Sequence, residues 1–264
     1  MTGNWPRSLD RLLGPLDRVA GAVGLRLTRR DFEIRHSPAW QKQIVARVTP
    51  YTATDGPAIV GLLDAVGYLQ RNDIPGAIVE CGVYRGGSVM AAASCLLRDA
   101  PPRREIWLYD TFDGMTEPDD VDVRLRDGLA AADVHERERS LPSQQQSDWF
   151  WVRAGLDSVR ENVSMTGYPD ALLHYVVGRV EDTIPEQAPE SIALLRLDTD
   201  WYASTKHELE HLVPRLSPGG VLIVDDYHYW QGSRKAVDEY FRSRGGNAPL
   251  WTRISSSGAV LTLL

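Results

Sequence analysis

The chain is expected to fold as an α/β domain: a mostly parallel seven-stranded sheet with helices on both faces and a C-terminal antiparallel hairpin. Three observations predict this. Short apolar runs alternate with stretches of helical periodicity from residue 55 onward. Those runs end in glycines or carboxylates, as strands do when they feed a ligand-binding rim. The tail "LWTRISSSGAVLTLL" reads as two short strands around a Ser/Gly turn.

The elements follow in order. Residues 1–30 carry six arginines against two aspartates, with Leu9, Leu12, Leu13, Leu16, Val19 and Val23 at roughly helical spacing. This pattern fits a terminal helix laid on its own core, on a second copy of the chain, or on a membrane surface. Residues 1–54 are therefore taken as a helical arm or cap, through which a homo-oligomer is expected, and 55–264 as the α/β domain. "DGPAIVGLLDAVGYLQRN" has helical period with Thr54 or Asp55 as N-cap. "GAIVECGVYRGGS" turns through glycines into the helix "SVMAAASCLLRD", and "REIWLYDTFDG" is a second strand ending in Asp110.

Residues 113–148 show no useful periodicity and are dense in Asp, Glu, Arg, Ser and Gln, so a structureless segment is expected there, either a mobile lid or partly disordered. "WFWVRAGLDSVRENVSMTG" returns to helix, and "ALLHYVVG" and "SIALLRLDTD" are strands. "STKHELEHLVPRL" is a helix ending before Pro218-Gly219. "GGVLIVDDYHYW" is a strand ending in Asp225 and Asp226, and "GSRKAVDEYFRSRG" is an amphipathic helix.

Gross composition excludes some partners. Of 264 residues, 25% are charged, and the net charge of −7 argues against a nucleic-acid backbone as partner. No stretch approaches the roughly 18 apolar residues of a membrane span. A signal peptide is not expected, because Asp10, Arg11, Gly14 and Asp17 break the early apolar positions. The two cysteines, Cys81 and Cys95, lie in apolar company and read as reduced thiols, which fits a cytoplasmic location.

Three motifs carry chemistry. In "ECGVYRGGS", Gly82, Gly86 and Gly87 permit a tight turn and close approach of a ligand, the alternative being tight helix–strand packing. The spacing is not the G-x-G-x-x-G of dinucleotide sites. Glu80 suits a cationic or hydroxylated ligand better than a phosphate, and Asp110 can accept both hydroxyls of a ribose. An acid at each of these strand ends suggests S-adenosylmethionine, which has an ammonium, a sulfonium and a ribose but no phosphate. In "GRVEDTIPE", Glu181 and Asp182 border the place of an adenine ring, or begin a helix whose dipole favours acids. Asp198, Asp225 and Asp226 end neighbouring strands about 4.8 Å apart. Unpaired, three such carboxylates repel; a hard divalent ion, Mg²⁺ for preference, would resolve this, the alternative being solvated acids at a rim. The histidines and cysteines form no zinc-like set.

"IVECGVYRGGS", "YDTFDGM", "GRVEDTIP", "LLRLDTDWYAST" and "LSPGGVLIVDDYHYWQGSRKAVDEYF" together resemble the macrocin/mycinamicin O-methyltransferase (TylF-type) family over roughly residues 55–243. The resemblance implies a class I methyltransferase (Rossmann-like) fold. It also implies S-adenosylmethionine- and Mg²⁺-dependent methylation of a hydroxyl, typically on a deoxysugar of a glycosylated natural product or glycolipid. It puts Asp198, Asp225 and Asp226 in the metal positions and Asp200 in the general-base position, the alternative for Asp200 being a helix N-terminal acid. Glu80, Gly82, Ser88, Asp110, Glu181 and Asp182 fall where the family holds the cofactor, with Tyr84, Gly86, Thr111 and Phe112 in the same turns. Tyr84 stands where tryptophan is common, Thr111 where serine is common, and "DTDW" where "DGDM" is common. His228, beside Asp226, is the alternative base or a substrate contact. Rival functions are a catechol-type O-methyltransferase, a glycosyltransferase reading "DTD" as D-x-D, and a non-catalytic cofactor-binding protein.

Overall fold

Five strands run parallel: β1 (Ala77–Cys81), β2 (Ile106–Asp110), β3 (Leu173–Val177), β4 (Ile192–Leu197) and β5 (Leu216–Val224). β6 (Thr252–Arg253) and β7 (Val260–Leu263) form the antiparallel hairpin, with β7 against β5 and β6 at the edge, so the order is β3-β2-β1-β4-β5-β7-β6. The computed structural model describes residues 34–99, 101, 103–245, 249–255 and 258–264. The amphipathic pattern of residues 1–30, and the oligomer contact expected of it, lie outside the described residues.

The helices in chain order are α1 (Ala39–Val48), α2 (Gly56–Arg71), α3 (Gly87–Asp99), α4 (Ala131–Ser140), α5 (Asp148–Trp151), α6 (Leu156–Ser164), α7 (Val180–Thr183), α8 (Tyr202–Leu212) and α9 (Gln231–Ser243). No helix among the described residues is long and apolar enough to cross a membrane. Asp55 is the N-cap of α2, its side chain accepting from Ala58 N–H at 2.9 Å. Thr54 is left for another partner.

Strand alternation sends side chains to two cores. Ile78, Leu194, Val221 and Ile223 pack with Leu62, Leu63, Val66, Val89 and Val163 from α2, α3 and α6. Val79, Cys81, Leu195, Leu197, Leu222 and Val224 pack on the opposite face with Leu209, Leu212, Val237 and Tyr240 from α8 and α9. Both cysteines are buried, and Cys95 Sγ lies 3.7 Å from Leu63 O.

Two segments depart from the sequence-based expectation. Residues 113–148 are not structureless, since they contain α4 and a bridge from Arg124 to Trp230. Ala131, Val134 and Phe150 bury against Trp201 and Trp230, distant in sequence, so no local period announces the packing. Asp122 fastens this segment: its Oδ1 accepts the N–H of Tyr202, the first residue of α8, and its Oδ2 accepts Asp119 N–H, both at 2.8 Å. Gly232 leaves the room, because a Cβ there would stand 1.7 Å from Asp122 Oδ1. The helix expected over 149–167 is split into α5 and α6, with Val152 at φ 38 between them. α8 also ends earlier than expected, at Leu212, and a 3₁₀ turn over Val213–Arg215 leads into β5.

Candidate active site

A cavity of about 320 Å³ opens beyond the carboxyl ends of the parallel strands, the position that open α/β sheets offer to ligands. One side is walled by Gly82, Tyr84, Ser88, Asp110, Thr111 and Glu181, and the other by Asp198, Asp200, Asp225 and Asp226. Phe150, Trp201, Tyr229 and Trp230 add aromatic lining, with Met115 packed against them, and Thr52, Ala53, Thr54 and Thr116 line the cavity as well.

Sheet register explains the carboxylate side. Glu80 on β1 pairs with Arg196 on β4, and Arg196 with Ile223 on β5, so these side chains share a face. Asp198 and Asp225 lie two residues further on and project to that same face. Arg196, only 2% exposed, meets them: Nη1 donates to Glu80 Oε1 at 2.6 Å and to Asp198 Oδ2 at 2.7 Å. Nη2 donates to Asp225 Oδ1 at 2.6 Å and Thr54 Oγ1 at 2.8 Å. Burying a guanidinium costs several kcal/mol (about 3–5 when one partner of such a pair is removed), so only this full pairing keeps it there. Burial opposes its charge, yet the three carboxylates hold its pKa well above the usual arginine value.

One guanidinium does not discharge the rim. Ligand oxygens of Asp198, Asp225 and Asp226 lie within 4.8 Å of one another, near the ~4.2 Å between opposite ligands of an octahedral Mg²⁺. Asp226 is 7% exposed, and its Oδ2 has no hydrogen-bond partner. Burial, then the repulsion of Asp200, Asp198 and Asp225, pushes its pKa well above the carboxylate range. An orphaned buried carboxylate oxygen in an all-oxygen set fits a small hard cation.

On the cofactor side, Asp110 holds the glycine turn together. Its Oδ2 accepts Val83 N–H at 2.7 Å and Tyr84 N–H at 3.1 Å, and its Oδ1 accepts Phe112 N–H at 2.8 Å. Burial raises its pKa against these three bonds. Gly82 has φ +84, and a Cβ on it would stand 2.0 Å from Asp198 O. The close approach that demands glycine here is thus made by the end of β4 rather than by a ligand.

Four expected cofactor residues do not reach the cavity. Glu80 is buried beneath its wall, bonded to Ser88 Oγ and Arg196, because a charge inside a central strand takes the nearest cation. Gly86 backs onto Val159 and Val163. Phe112 packs in the core, and Asp182 is exposed on α7 while Glu181 beside it lines the cavity. His228 lies outside as well: its ring packs on Tyr227, and burial, Arg253 and Arg234 lower its pKa.

Asp200 has φ 66, and its Oδ1 accepts Trp230 Nε1–H at 2.8 Å. It caps no helix; the N-cap position of α8 is Trp201, and the first turn has no acid. Burial pushes Asp200 up to about 7, the Trp230 bond opposing. Behind it, Glu208 on α8 is fully buried, and its Oε1 accepts Thr199 Oγ1–H at 2.9 Å.

Burial holds Glu208 well above the carboxylate range. The folded protein therefore keeps a proton that the unfolded chain releases. That stability is fully present below pH about 4.3 and is lost as pH rises toward the folded pKa. Glu208→Gln keeps a neutral hydrogen-bonding group, so its Tm should gain on the wild type progressively as pH rises above about 4.3. Parallel curves of Tm against pH would count against a protonated Glu208.

Arg196, Thr54, Glu208 and Trp230 were not anticipated as site residues. The one available signal for Arg196 was a charge interrupting the apolar run "IALLRL".

The sheet order and the carboxyl-end cavity define a class I methyltransferase fold. The O-methyltransferase NovP superposes with TM-score 0.66 at 29% identity, covering 81% of each chain. The calicheamicin methyltransferase CalS11 shares the fold, with TM-score 0.58 at 19% identity over 86% of this chain and 94% of that one. The model of the macrocin-O-methyltransferase (TylF) family matches residues 49–261, and the chain belongs to that family. It is similar to the 8-demethyl-8-(2,3-dimethoxy-alpha-L-rhamnosyl)-tetracenomycin-C 4'-O-methyltransferase of Streptomyces olivaceus, at 35% identity over 70% of this chain and 65% of that protein. It is also similar to the mycinamicin III 3''-O-methyltransferase of Micromonospora griseorubida, at 34% identity over 67% of this chain and 64% of that protein. The match thus spans less than two thirds of either relative's length.

Proposed function

We propose that the protein is an S-adenosylmethionine- and Mg²⁺-dependent O-methyltransferase acting on a sugar hydroxyl of a glycosylated small molecule. The observation that carries this reading is the cavity itself: a cation-sized set of Asp198, Asp225 and Asp226 stands beside Asp200, facing a turn without phosphate-binding character. The sugar acceptor is supported by the printed activities of the rhamnosyl-tetracenomycin and mycinamicin III relatives.

The bound groups supply an electrophilic methyl from the cofactor and, from the ion, Lewis acidity that lowers the pKa of the acceptor hydroxyl. The chain's own residues do the rest. Gly82, Tyr84, Ser88, Asp110, Thr111 and Glu181 hold the cofactor. Asp198, Asp225 and Asp226 would hold the ion, and Met115, Trp201, Tyr229 and Trp230 would shape the acceptor wall. Asp200, aimed by Trp230, would accept the proton of the acceptor hydroxyl, whose oxygen would take the methyl that the cofactor supplies, S-adenosylhomocysteine being the product. Residues 113–148 serve as the cover that excludes water.

A methyl-transfer screen of glycosylated and phenolic acceptors, with Mg²⁺ or with chelator, tests this reading. Mass spectrometry should place the methyl on a sugar hydroxyl, and chelation should reduce turnover at least about 100-fold. Transfer to vicinal phenols alone would replace the sugar reading with a catechol-type one. Binding of a nucleotide-sugar but not of S-adenosylmethionine would sink it.

A further inference from the structure

Arg196 occupies the centre of the rim, yet no step of the proposed transfer uses it. Its guanidinium is a planar fork whose terminal nitrogens carry four N–H groups. These N–H groups meet Glu80, Asp198, Asp225 and Thr54. Two of these partners are not metal-position residues. Glu80 is itself gripped by Ser88 at the start of α3, and Thr54 sits just before α2. The other two are metal-position carboxylates, each engaged through one oxygen.

We propose that Arg196 is the positioning residue for the metal carboxylates: it claims one oxygen each of Asp198 and Asp225 and leaves the second oxygen of each, with Asp226, to a divalent cation. This rests on the metal reading of those three aspartates. One positive charge among Glu80, Asp198 and Asp225 leaves the group anionic, so the fork sets geometry without replacing the cation. Of the three metal-position aspartates, Asp226 is the one the arginine does not reach, and its buried Oδ2 has no hydrogen-bond partner. A lysine in the same place keeps the charge but, as a point donor on a flexible stem, cannot hold four acceptors in one plane.

Mn²⁺ is the probe, titrated into the full-length protein and read by electron paramagnetic resonance, with circular dichroism as the check on folding. Arg196→Lys should weaken Mn²⁺ binding about 10- to 100-fold and broaden the signal of the bound ion. Thr54→Val removes only one hydrogen-bonding anchor of the fork and should weaken binding about threefold with the fold intact; it decides the matter if Arg196→Lys does not fold. Wild-type affinity or tighter binding in a folded Arg196→Lys protein would overturn the inference while leaving the metal site standing. So would wild-type affinity in Thr54→Val where the lysine variant fails to fold. Failure of the wild type to bind Mn²⁺ would overturn the metal reading and this inference with it.

Discussion

Asp200→Asn is expected to lower kcat about 100- to 10,000-fold, the range over which a positioned base acts, with Mn²⁺ and S-adenosylhomocysteine affinities within a few-fold of wild type. The substitution is unusually clean at this position. Asparagine is among the few residues at ease with the left-handed backbone that Asp200 adopts at φ 66. Its side-chain oxygen can still accept the Trp230 Nε1–H that Asp200 Oδ1 accepts at 2.8 Å. What is lost is the ability to take a proton, so the deficit should fall on kcat and leave KM nearly unchanged. Turnover within threefold of wild type would remove Asp200 as the base. With His228 outside the cavity, no other base among the expected residues stands on that wall.

Gly82→Ala should produce the largest loss of stability. Two effects act together: φ +84 is costly for any residue with a Cβ, and the added carbon would meet the carbonyl of Asp198 at 2.0 Å. The obstacle is backbone, fixed by the Asp198 N–H bond to Cys81 O at 2.8 Å, so no side chain can swing aside. A cost of about 3 kcal/mol or more follows, a fall in Tm of roughly 6–12 °C for a chain of this size. Gly128→Ala is the control, because its φ is +75 but nothing lies within 4 Å. It should cost about 1 kcal/mol, the backbone share alone. Equal losses in the two variants would show that the approach of β4 to the turn is not tight. Divalent-ion binding by the Gly82 variant should weaken in parallel, since the same approach places Asp198.

Much of the fold was legible because its signals are local. Apolar runs of strand length, an N-cap at Thr54 or Asp55 and the glycine turn are each written within a few consecutive residues, and alternation along the chain then implies a parallel sheet. The carboxylate set was legible for the same reason, since Asp198, Asp225 and Asp226 end their strands and parallel strands align their ends. The packing of residues 113–148 was not. Its partners, Trp201, Tyr202 and Trp230, lie far along the chain, and Asp122 looks like any solvated acid until α8 and α9 close around it.

The sequence by itself determined which residue types stand at the rim: three strand-end aspartates, a fourth two residues beyond Asp198, and acids at the ends of β1 and β2. Only the tertiary structure decided what each one meets. Glu80 is withdrawn from the cavity because Arg196 lies across from it in the register and a buried charge must be paired. Asp226 is left with an unpartnered oxygen because the fork of Arg196 reaches Asp198 and Asp225 and does not reach it. Carboxylate identity is a property of the chain, but desolvation and pairing are properties of distance, and distances between residues so far apart in sequence exist only once the sheet has formed.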